Sequence, residues 1–154
     1  MKSFQRDGLR FEYPPNWLIE VAEDDVAWNV QVKSPQTAFF LLSIRPDIAD
    51  AGELANLTLE AMRTEYKDLD FFEVFESMAG QPAIGHDIDF IAVDITSFTM
   101  TRCLNGPTGS MLCLAQTTDY DREYHEPMLR AILASLTLVD EEIEEESITE
   151  SALN

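Results

Sequence analysis

Apolar and polar residues alternate along much of this chain, with the period of two that is typical of strands with one buried side. The clearest stretch is residues 26–32, where Val26, Trp28, Val30 and Val32 would share one face. Residues 39–45 are apolar at almost every position, which indicates a central strand of a sheet. The same reasoning predicts strands at residues 11–13, 17–22, 71–76, 83–93, 95–104 and 110–118.

One segment after residue 50 has the period of a helix instead. Asp50 has the side chain of a helix N-cap, and Glu53 follows three residues on, as in a capping box. Apolar residues then recur at helical spacing, namely Leu54, Leu57, Ala61, Met62 and Tyr66.

A second helix is predicted near the end of the chain. Pro127 favours its first position, because a proline there loses no intrahelical hydrogen bond. We therefore predict a helix over residues 127–136, and a turn or short helical piece at residues 121–126. Its buried residues would be Met128, Leu129, Ile132 and Leu133.

Residues 105–109 read Asn-Gly-Pro-Thr-Gly, which predicts a hairpin loop between two strands. A five-residue loop pairs Leu104 with Ser110, and it places the apolar residues of both strands on one side. The same register gives Cys103 and Cys113 compatible parity on adjacent strands, where we expect two buried structural thiols.

The predicted order is four strands, a helix, four strands and a helix, with residues 136–139 as a further edge strand. Strands joined by short turns pair antiparallel, so the fold class is α+β, with a central antiparallel sheet flanked by helices. The length of 154 residues fits one domain, which we place at residues 1–139. Residues 140–154 are acidic with little to bury, and they predict a disordered tail.

The chain has 29 acidic and 10 basic residues, for a net charge of −19. Seven acids lie in residues 140–154, so the rest has 22 acids against 10 bases, or −12. This charge opposes nucleic acids and anionic membranes, and it favours solubility or a basic protein partner. The N-terminus lacks the apolar core of a signal peptide, and no apolar run reaches the roughly 20 residues of a membrane span. We therefore expect a cytoplasmic protein with reduced cysteines.

The patterns of known catalytic and metal sites are incomplete in this chain. His86 falls on one side of a predicted strand, with Asp87 and Asp89 on the other. Residues 119–130 start like a calcium loop, but Tyr124 stands where Gly is needed and Arg130 where Glu is needed. Nucleophile elbows, phosphate loops and dinucleotide fingerprints are absent. We predict no catalytic residues, no metal and no cofactor.

Trp17 and Trp28 are the candidate partner-binding residues, because tryptophan is enriched at interface hot spots. Trp28 alternates with core-type valines, and Trp17 follows a Pro-Pro-Asn turn that it could pin against the sheet. Core packing is therefore the simpler interpretation of both residues.

Three short segments carry a familiar pattern of residues. Residues 9–17 read Leu-Arg-Phe-Glu-Tyr-Pro-Pro-Asn-Trp, residues 79–83 read Ala-Gly-Gln-Pro-Ala, and residues 124–136 end in Ser-Leu. Together they resemble the opening, the mid-chain turn and the closing helix of the Mog1/PsbP-like superfamily, over about residues 8–139. The resemblance implies a central antiparallel sheet flanked by helices. Members include a nuclear-transport GTPase partner, photosystem II extrinsic proteins and bacterial secretion adaptors, so it implies protein binding and no catalytic residues.

The leading hypothesis is a non-enzymatic protein-binding module, such as an adaptor or chaperone for a client protein, acting alone or as a homodimer. The alternative is a small-ligand carrier or an enzyme with a pocket between sheet and helix. Its polar residues would come from His86, Asp87, Asp89, Cys103 and His125. The two hypotheses differ in whether these side chains converge in one pocket.

Overall fold

The structure is a computed structural model that describes residues 1–138. The predicted acidic tail at residues 140–154 lies outside the described residues. The strands are β1 Lys2–Arg6, β2 Leu9–Tyr13, β3 Leu18–Glu23, β4 Trp28–Lys33, β5 Phe39–Arg45, β6 Leu69–Met78, β7 Gln81–Ala92, β8 Ile95–Gly106, β9 Gly109–Thr118 and β10 Thr137–Leu138. The helices are α1 Ala51–Glu65 and α2 Arg122–Ser135. The chain is α+β, as predicted.

Seven strands form one antiparallel sheet in the order β3-β4-β5-β9-β8-β7-β6. The strands β1, β2 and β10 form a second, three-stranded antiparallel sheet. Helix α1 packs on β7, β8 and β9, whereas α2 packs on β2, β5 and β9. The two helices lie on opposite faces of the large sheet, so the predicted central antiparallel sheet flanked by helices is confirmed. Within residues 1–138, neither helix is long and apolar enough to cross a membrane.

The larger core lies between the seven-stranded sheet and the layer made by α2 and β2. Alternate positions of β4 and β5 point into it, because side chains of a strand alternate between the two faces. Its fully buried residues include Phe11, Val30, Val32, Phe40, Leu42, Met100, Leu129 and Ile132. A smaller core under α1 contains Leu54, Ala55, Cys103 and Leu112.

Helix α1 begins where the sequence predicts. The Asp50 carboxylate accepts a hydrogen bond from the Gly52 N–H at 3.3 Å, which satisfies one of the free donors of the first turn. Of the apolar residues at helical spacing, Leu57 is 50% exposed and Ala61 is also exposed. The buried stripe is narrower and consists of Ala51, Leu54, Ala55 and Leu59.

Helix α2 begins at Arg122, five residues earlier than predicted, and Pro127 is its sixth residue. A proline inside a helix removes one backbone hydrogen bond, here the bond to the carbonyl of Glu123. The early start is stabilised from outside the helix. Asp121 precedes the first turn, and its carboxylate accepts hydrogen bonds from Thr37 and Thr117, which fixes this end of α2 to the sheet.

The hairpin of β8 and β9 has a different register from the predicted one. Gly106 pairs with Gly109, so the turn contains two residues, Pro107 and Thr108, instead of five. Leu104 consequently pairs with Met111, and a slip of one residue moves every side chain of β9 to the other face. Leu112 and Leu114 therefore lie on the α1 side of the sheet, away from Leu104.

Strand β1 was not predicted, although a signal for it is present in the sequence. Asp7 and Gly8 form the two-residue turn between β1 and β2, with φ of 50° and 82°. An Asp-Gly pair is favoured in such turns because both residues tolerate positive φ. The strand was missed because Phe4 is the one apolar residue of Lys2–Arg6, so no apolar alternation is visible there.

Candidate functional site

Both tryptophans lie in the core of the chain. Trp28 is 7% exposed, and its indole Nε1 donates to the Asp7 carboxylate at 3.0 Å while the Arg6 guanidinium lies over its ring. Trp17 is 6% exposed and packs edge-on against the His125 ring, with 5.9 Å between the ring centroids. A contact of either indole with a partner stays a prediction.

The polar residues of the pocket hypothesis are not brought together. His86 and Cys103 are buried on the α1 face of the sheet, whereas Asp87 and Asp89 lie on the α2 face. His125 is on α2, close to the loop that joins β4 to β5. Two open surface depressions of about 630 and 680 Å³ exist, and of these five residues Asp89 alone lines either of them.

The two cysteines lie on opposite faces of the sheet, because Cys103 pairs with Leu112 and Cys113 pairs with Arg102. The expectation that they share a face is therefore wrong, while their burial is confirmed. Burial raises the pKa of Cys103 to about 12 and that of Cys113 further still. Both are protonated thiols at neutral pH, so neither is poised as a nucleophile.

A polar cluster at the start of α2 contains an acid and a histidine. The Asp121 Oδ2 lies 3.5 Å from His125 Nδ1, and the other ring nitrogen, Nε2, lies 3.1 Å from the Gln36 side-chain oxygen. The hydroxyl groups of Thr37 and Thr117 donate to Asp121, at 2.6 and 3.1 Å. No hydroxyl within residues 1–138 hydrogen-bonds to His125, so the cluster lacks the nucleophile–base contact of a hydrolase.

His86 is a second buried histidine, 2% exposed. Burial lowers its pKa, so the ring is neutral at pH 7, and its Nδ1 has no hydrogen-bond partner within the described chain. Its ring packs edge-on against Phe71, with 5.7 Å between centroids. Residues 1–138 contain no group of three His, Cys, Asp or Glu side chains placed to hold a metal ion.

Arg102 is a fully buried charge that the sequence reasoning did not single out. Its guanidinium reaches the carboxylates of Glu76, at 2.7 Å, and Asp87, at 2.9 Å. Its Nη1 also donates to the Thr101 carbonyl at 2.8 Å. The sequence does contain an indication of this buried charge, because Arg102 is the one charged residue of β8, a long strand, and occupies an inward position in it.

One half of the α1 face of the sheet has no described element on it. Helix α1 covers β7, β8 and β9, which leaves the same face of β3, β4 and β5 open. The apolar residues of this open face are Leu18 on β3, Phe39 and Leu41 on β5 and, at its border with α1, Leu114 on β9; the same face also carries Glu20, Asn29, Gln31, Lys33 and Ser43. Leu18 is 72% exposed, and the other three apolar residues are partly exposed.

Comparisons with known proteins support the fold. No family model matches the chain, and no curated protein matches it. A solved structure of PA94, a protein of unknown function from Pseudomonas aeruginosa for which a regulatory role has been suggested, is similar over 91% of this chain and 98% of its own, with a TM-score of 0.59 and 16% identity.

A second similar structure is LpqN of Mycobacterium tuberculosis, which is involved in cell envelope biogenesis. It covers 86% of this chain and 83% of its own, with a TM-score of 0.52 and 11% identity. At these identities the similarity shows the shared fold alone. Membership of the Mog1/PsbP-like superfamily stays a prediction.

Proposed function

We propose that this chain is a non-enzymatic protein-binding module, an adaptor or chaperone of the cytoplasm that holds an apolar segment of a client protein against the open face. The observation that carries the proposal is the mismatch between β5 and its surroundings. Residues 39–42 of this strand are apolar on both sides, but in the described chain only the α2 side is covered.

The two sides of β5 differ in how deeply their apolar side chains are buried. Phe40 and Leu42 point to the α2 side and are 0% exposed, as a core strand requires. Phe39 and Leu41 point to the open face and are only partly buried. Strands that are apolar on both faces are typical of sheets covered on both faces. A client segment would supply the missing cover.

The apolar area available supports binding of moderate strength. Full burial of a Phe or Leu side chain contributes roughly 1.5–3 kcal/mol, and Phe39, Leu41 and Leu18 each retain part of that area for a partner. The face also has polar residues within it, because Lys33 on β4 lies between Leu18 and Phe39. The Lys33 ammonium lies 3.8 Å from Glu20. A non-obligate interface is about as apolar as the rest of a protein surface, so a face of mixed apolar and polar residues is compatible with one.

Charge supports a protein partner over a nucleic acid. The body carries 22 acids against 10 bases, and phosphate backbones bind through lysine and arginine. The non-enzymatic part of the proposal is supported by the His125 ring, to which no hydroxyl of residues 1–138 hydrogen-bonds, and by the high pKa of the Cys103 thiol.

Affinity capture with the tagged full chain, from a lysate of its own cells at low and high salt, tests this function. The matched variants are Leu41→Asp, on the open face, and Val93→Asp, in the β7–β8 turn where Val93 is 93% exposed. We expect the wild type and Val93→Asp to retain the same proteins and Leu41→Asp to lose them. Retention of no protein at either salt, or equal retention by Leu41→Asp, would contradict the proposal.

A further inference from the structure

Strand β6 is an edge of the large sheet and displays three phenylalanine side chains. Its neighbour is β7, and within residues 1–138 no strand pairs with its other side. Phe71 is 41% exposed, Phe72 64% and Phe75 69%. Phe71 and Phe75 lie on the α1 face and Phe72 on the α2 face, because side chains alternate along a strand. Both sides of this edge therefore expose phenylalanine.

The backbone of this edge is regular and available for pairing. Ten consecutive residues pair with β7 in one register, without a bulge. Because the Ile91 N–H donates to the Asp68 carbonyl at 3.0 Å, the hydrogen-bonded pairs with β7 fall on even-numbered residues of β6. Residues 69, 71, 73, 75 and 77 thus direct their N–H and C=O groups outward. Pro82, opposite Ser77, occupies a non-hydrogen-bonded position, which agrees with this assignment.

The edge is also acidic, with a regular spacing. Asp70, Glu73 and Glu76 recur every three residues along β6, and the strand contains no base. Glu76 is paired with Arg102. Asp70 and Glu73 have no ion pair with a lysine or arginine anywhere in residues 1–138. A complementary strand would therefore need positive charges at the same spacing, with apolar residues between them.

We propose that β6 is a docking edge for an extended segment of another protein that carries a lysine or arginine at every third position and apolar residues between. The segment adds an eighth strand to the sheet. Its backbone bonds to the outward groups of Phe71, Glu73 and Phe75, while its apolar side chains cover the three rings. This surface lies at the opposite edge of the sheet from β3, so it is distinct from the open face and goes beyond the function proposed above.

A second copy of this chain fits the edge less well. In an antiparallel pair related by two-fold symmetry, the register that places Phe71 opposite Phe75 also places Glu73 opposite itself and Asp70 opposite Glu76. Like charges directly opposite each other are destabilising. Each copy also carries a net charge of −19. Residues 140–154, with seven acids and no base, are repelled by the edge for the same reason.

The probe for this surface is a fluorescein-labelled peptide, Lys-Val-Val-Lys-Val-Val-Lys, and the measurement is its fluorescence anisotropy as the full chain is added at about 50 mM salt. The control peptide has glutamate in place of each lysine. We expect saturable binding of the first peptide and none of the second. Binding should weaken as salt rises, since exposed charge pairs are screened.

Two substitutions at residue 73 distinguish the contribution of the backbone N–H to peptide binding from that of the side-chain charge. Glu73→Pro removes an outward N–H without breaking the β7 ladder, because an edge strand tolerates proline at such a position. Glu73→Gln removes only the charge. We expect a weakening of about two- to fivefold for Glu73→Gln and at least about tenfold for Glu73→Pro. Phe75→Ser should weaken binding at least about tenfold without altering the backbone.

Several results would overturn the proposal. Equal binding by wild type, Glu73→Pro and Phe75→Ser would place the peptide elsewhere. Equal binding of the two peptides would show that the acidic residues of β6 do not select a basic segment. A free chain that sediments as a dimer, and becomes a monomer in Phe75→Ser, would assign the edge to a second copy. Unchanged peptide binding by Leu41→Asp is expected, so failure at the open face and failure at β6 are distinguishable.

Discussion

The Nε of Arg102 on β8 donates to Oε1 of Glu76 on β6 over 2.7 Å, and so the pair bridges the strand between them. The intervening residue on β7 is Gly85, which pairs with Arg102 on one side and with Val74 on the other. A residue with no side chain leaves the path of the guanidinium clear. The buried charge thus ties the exposed edge strand β6 to the interior of the sheet.

Removal of Arg102 should destabilise the fold strongly. The Arg102 side chain is 2% exposed, and its loss leaves Asp87, at 15% exposed, without its ion-pair partner. Breaking a buried pair from one side costs about 3–5 kcal/mol, and the exposure of Glu76, at 41%, lowers our expectation for Arg102→Leu to about 3 kcal/mol. Urea unfolding measures this change.

The matched control is Glu76→Gln, because it keeps the size of the side chain and leaves Asp87 to neutralise Arg102. We expect Glu76→Gln to cost less than about 1 kcal/mol, as is usual for a partly exposed pair. A cost for Glu76→Gln equal to that of Arg102→Leu would show that the Asp87 contact contributes nothing.

Two glycines should respond to alanine with opposite signs. A Cβ at Gly85 would lie 1.7 Å from the Thr101 carbonyl oxygen, so the backbone of β7 or β8 would have to move. We expect Gly85→Ala to lower the free energy of unfolding by about 1–3 kcal/mol or more. A Cβ at Gly52 meets nothing closer than the Asp50 carboxylate at 3.5 Å.

Gly52→Ala should therefore stabilise the chain, by up to about 1 kcal/mol, since glycine within a helix is disfavoured relative to alanine. Thermal unfolding of the two variants compares both effects directly. A loss of stability in Gly52→Ala, or a change under about 1 kcal/mol in Gly85→Ala, would be inconsistent with the described backbone.

Asp121 should contribute stability that depends on pH. Burial raises the pKa of Asp121, but the hydrogen bonds from Thr37 and Thr117, together with His125, outweigh burial and leave the pKa below its usual value. A carboxyl group with a lowered pKa contributes stability above the pKa of the unfolded chain, roughly 4, and loses it as the pH falls toward the folded value.

The variant Asp121→Asn should cost about 1–2 kcal/mol at pH 6, because hydrogen bonds to a charged acceptor are lost. The difference from wild type should shrink steadily between pH 5 and pH 3. Asp25→Asn, in an exposed turn, is the control, and its stability should differ little from that of the wild type over the same pH range. A difference for Asp121→Asn that is constant over this range would rule out the carboxylate as its source.

The sequence predicted those parts of the fold whose signals are local. Residues 39–45 were predicted as a strand, and β5 has these bounds. Trp28, Val30 and Val32 share a buried face because alternation alone places them together. The prediction for Val26 on the same face is wrong, since Val26 precedes β4 and is 73% exposed. Asp50 caps α1 as predicted, since a cap needs only the next three residues. In each case the decisive contacts lie within one element.

The parts that were wrong depend on contacts between distant residues. The β8–β9 register requires a choice between a two-residue and a five-residue turn, and both agree with an apolar pattern. The start of α2 depends on Thr37, which is 84 residues away from Asp121. The preference of proline for the first position of a helix is therefore a weak guide to where α2 begins, because tertiary contacts such as this one decide its first residue.

The two candidate surfaces could not be predicted from the sequence, because they too depend on how distant elements are arranged. Phe39 and Phe71 look like core residues in any alternating pattern. Their exposure follows from where α1 rests, over β7, β8 and β9, and from β6 being last in the sheet order. Neither fact is encoded in the residues of those strands.

A photoreactive amino acid placed at position 41 of the full chain, in its own cells, tests whether the open face holds a client protein. Position 93, which is 93% exposed in a turn, is the control. We expect light to crosslink another protein to position 41 and not to position 93. No crosslinked protein at position 41, or the same crosslinked proteins at both positions, would contradict it.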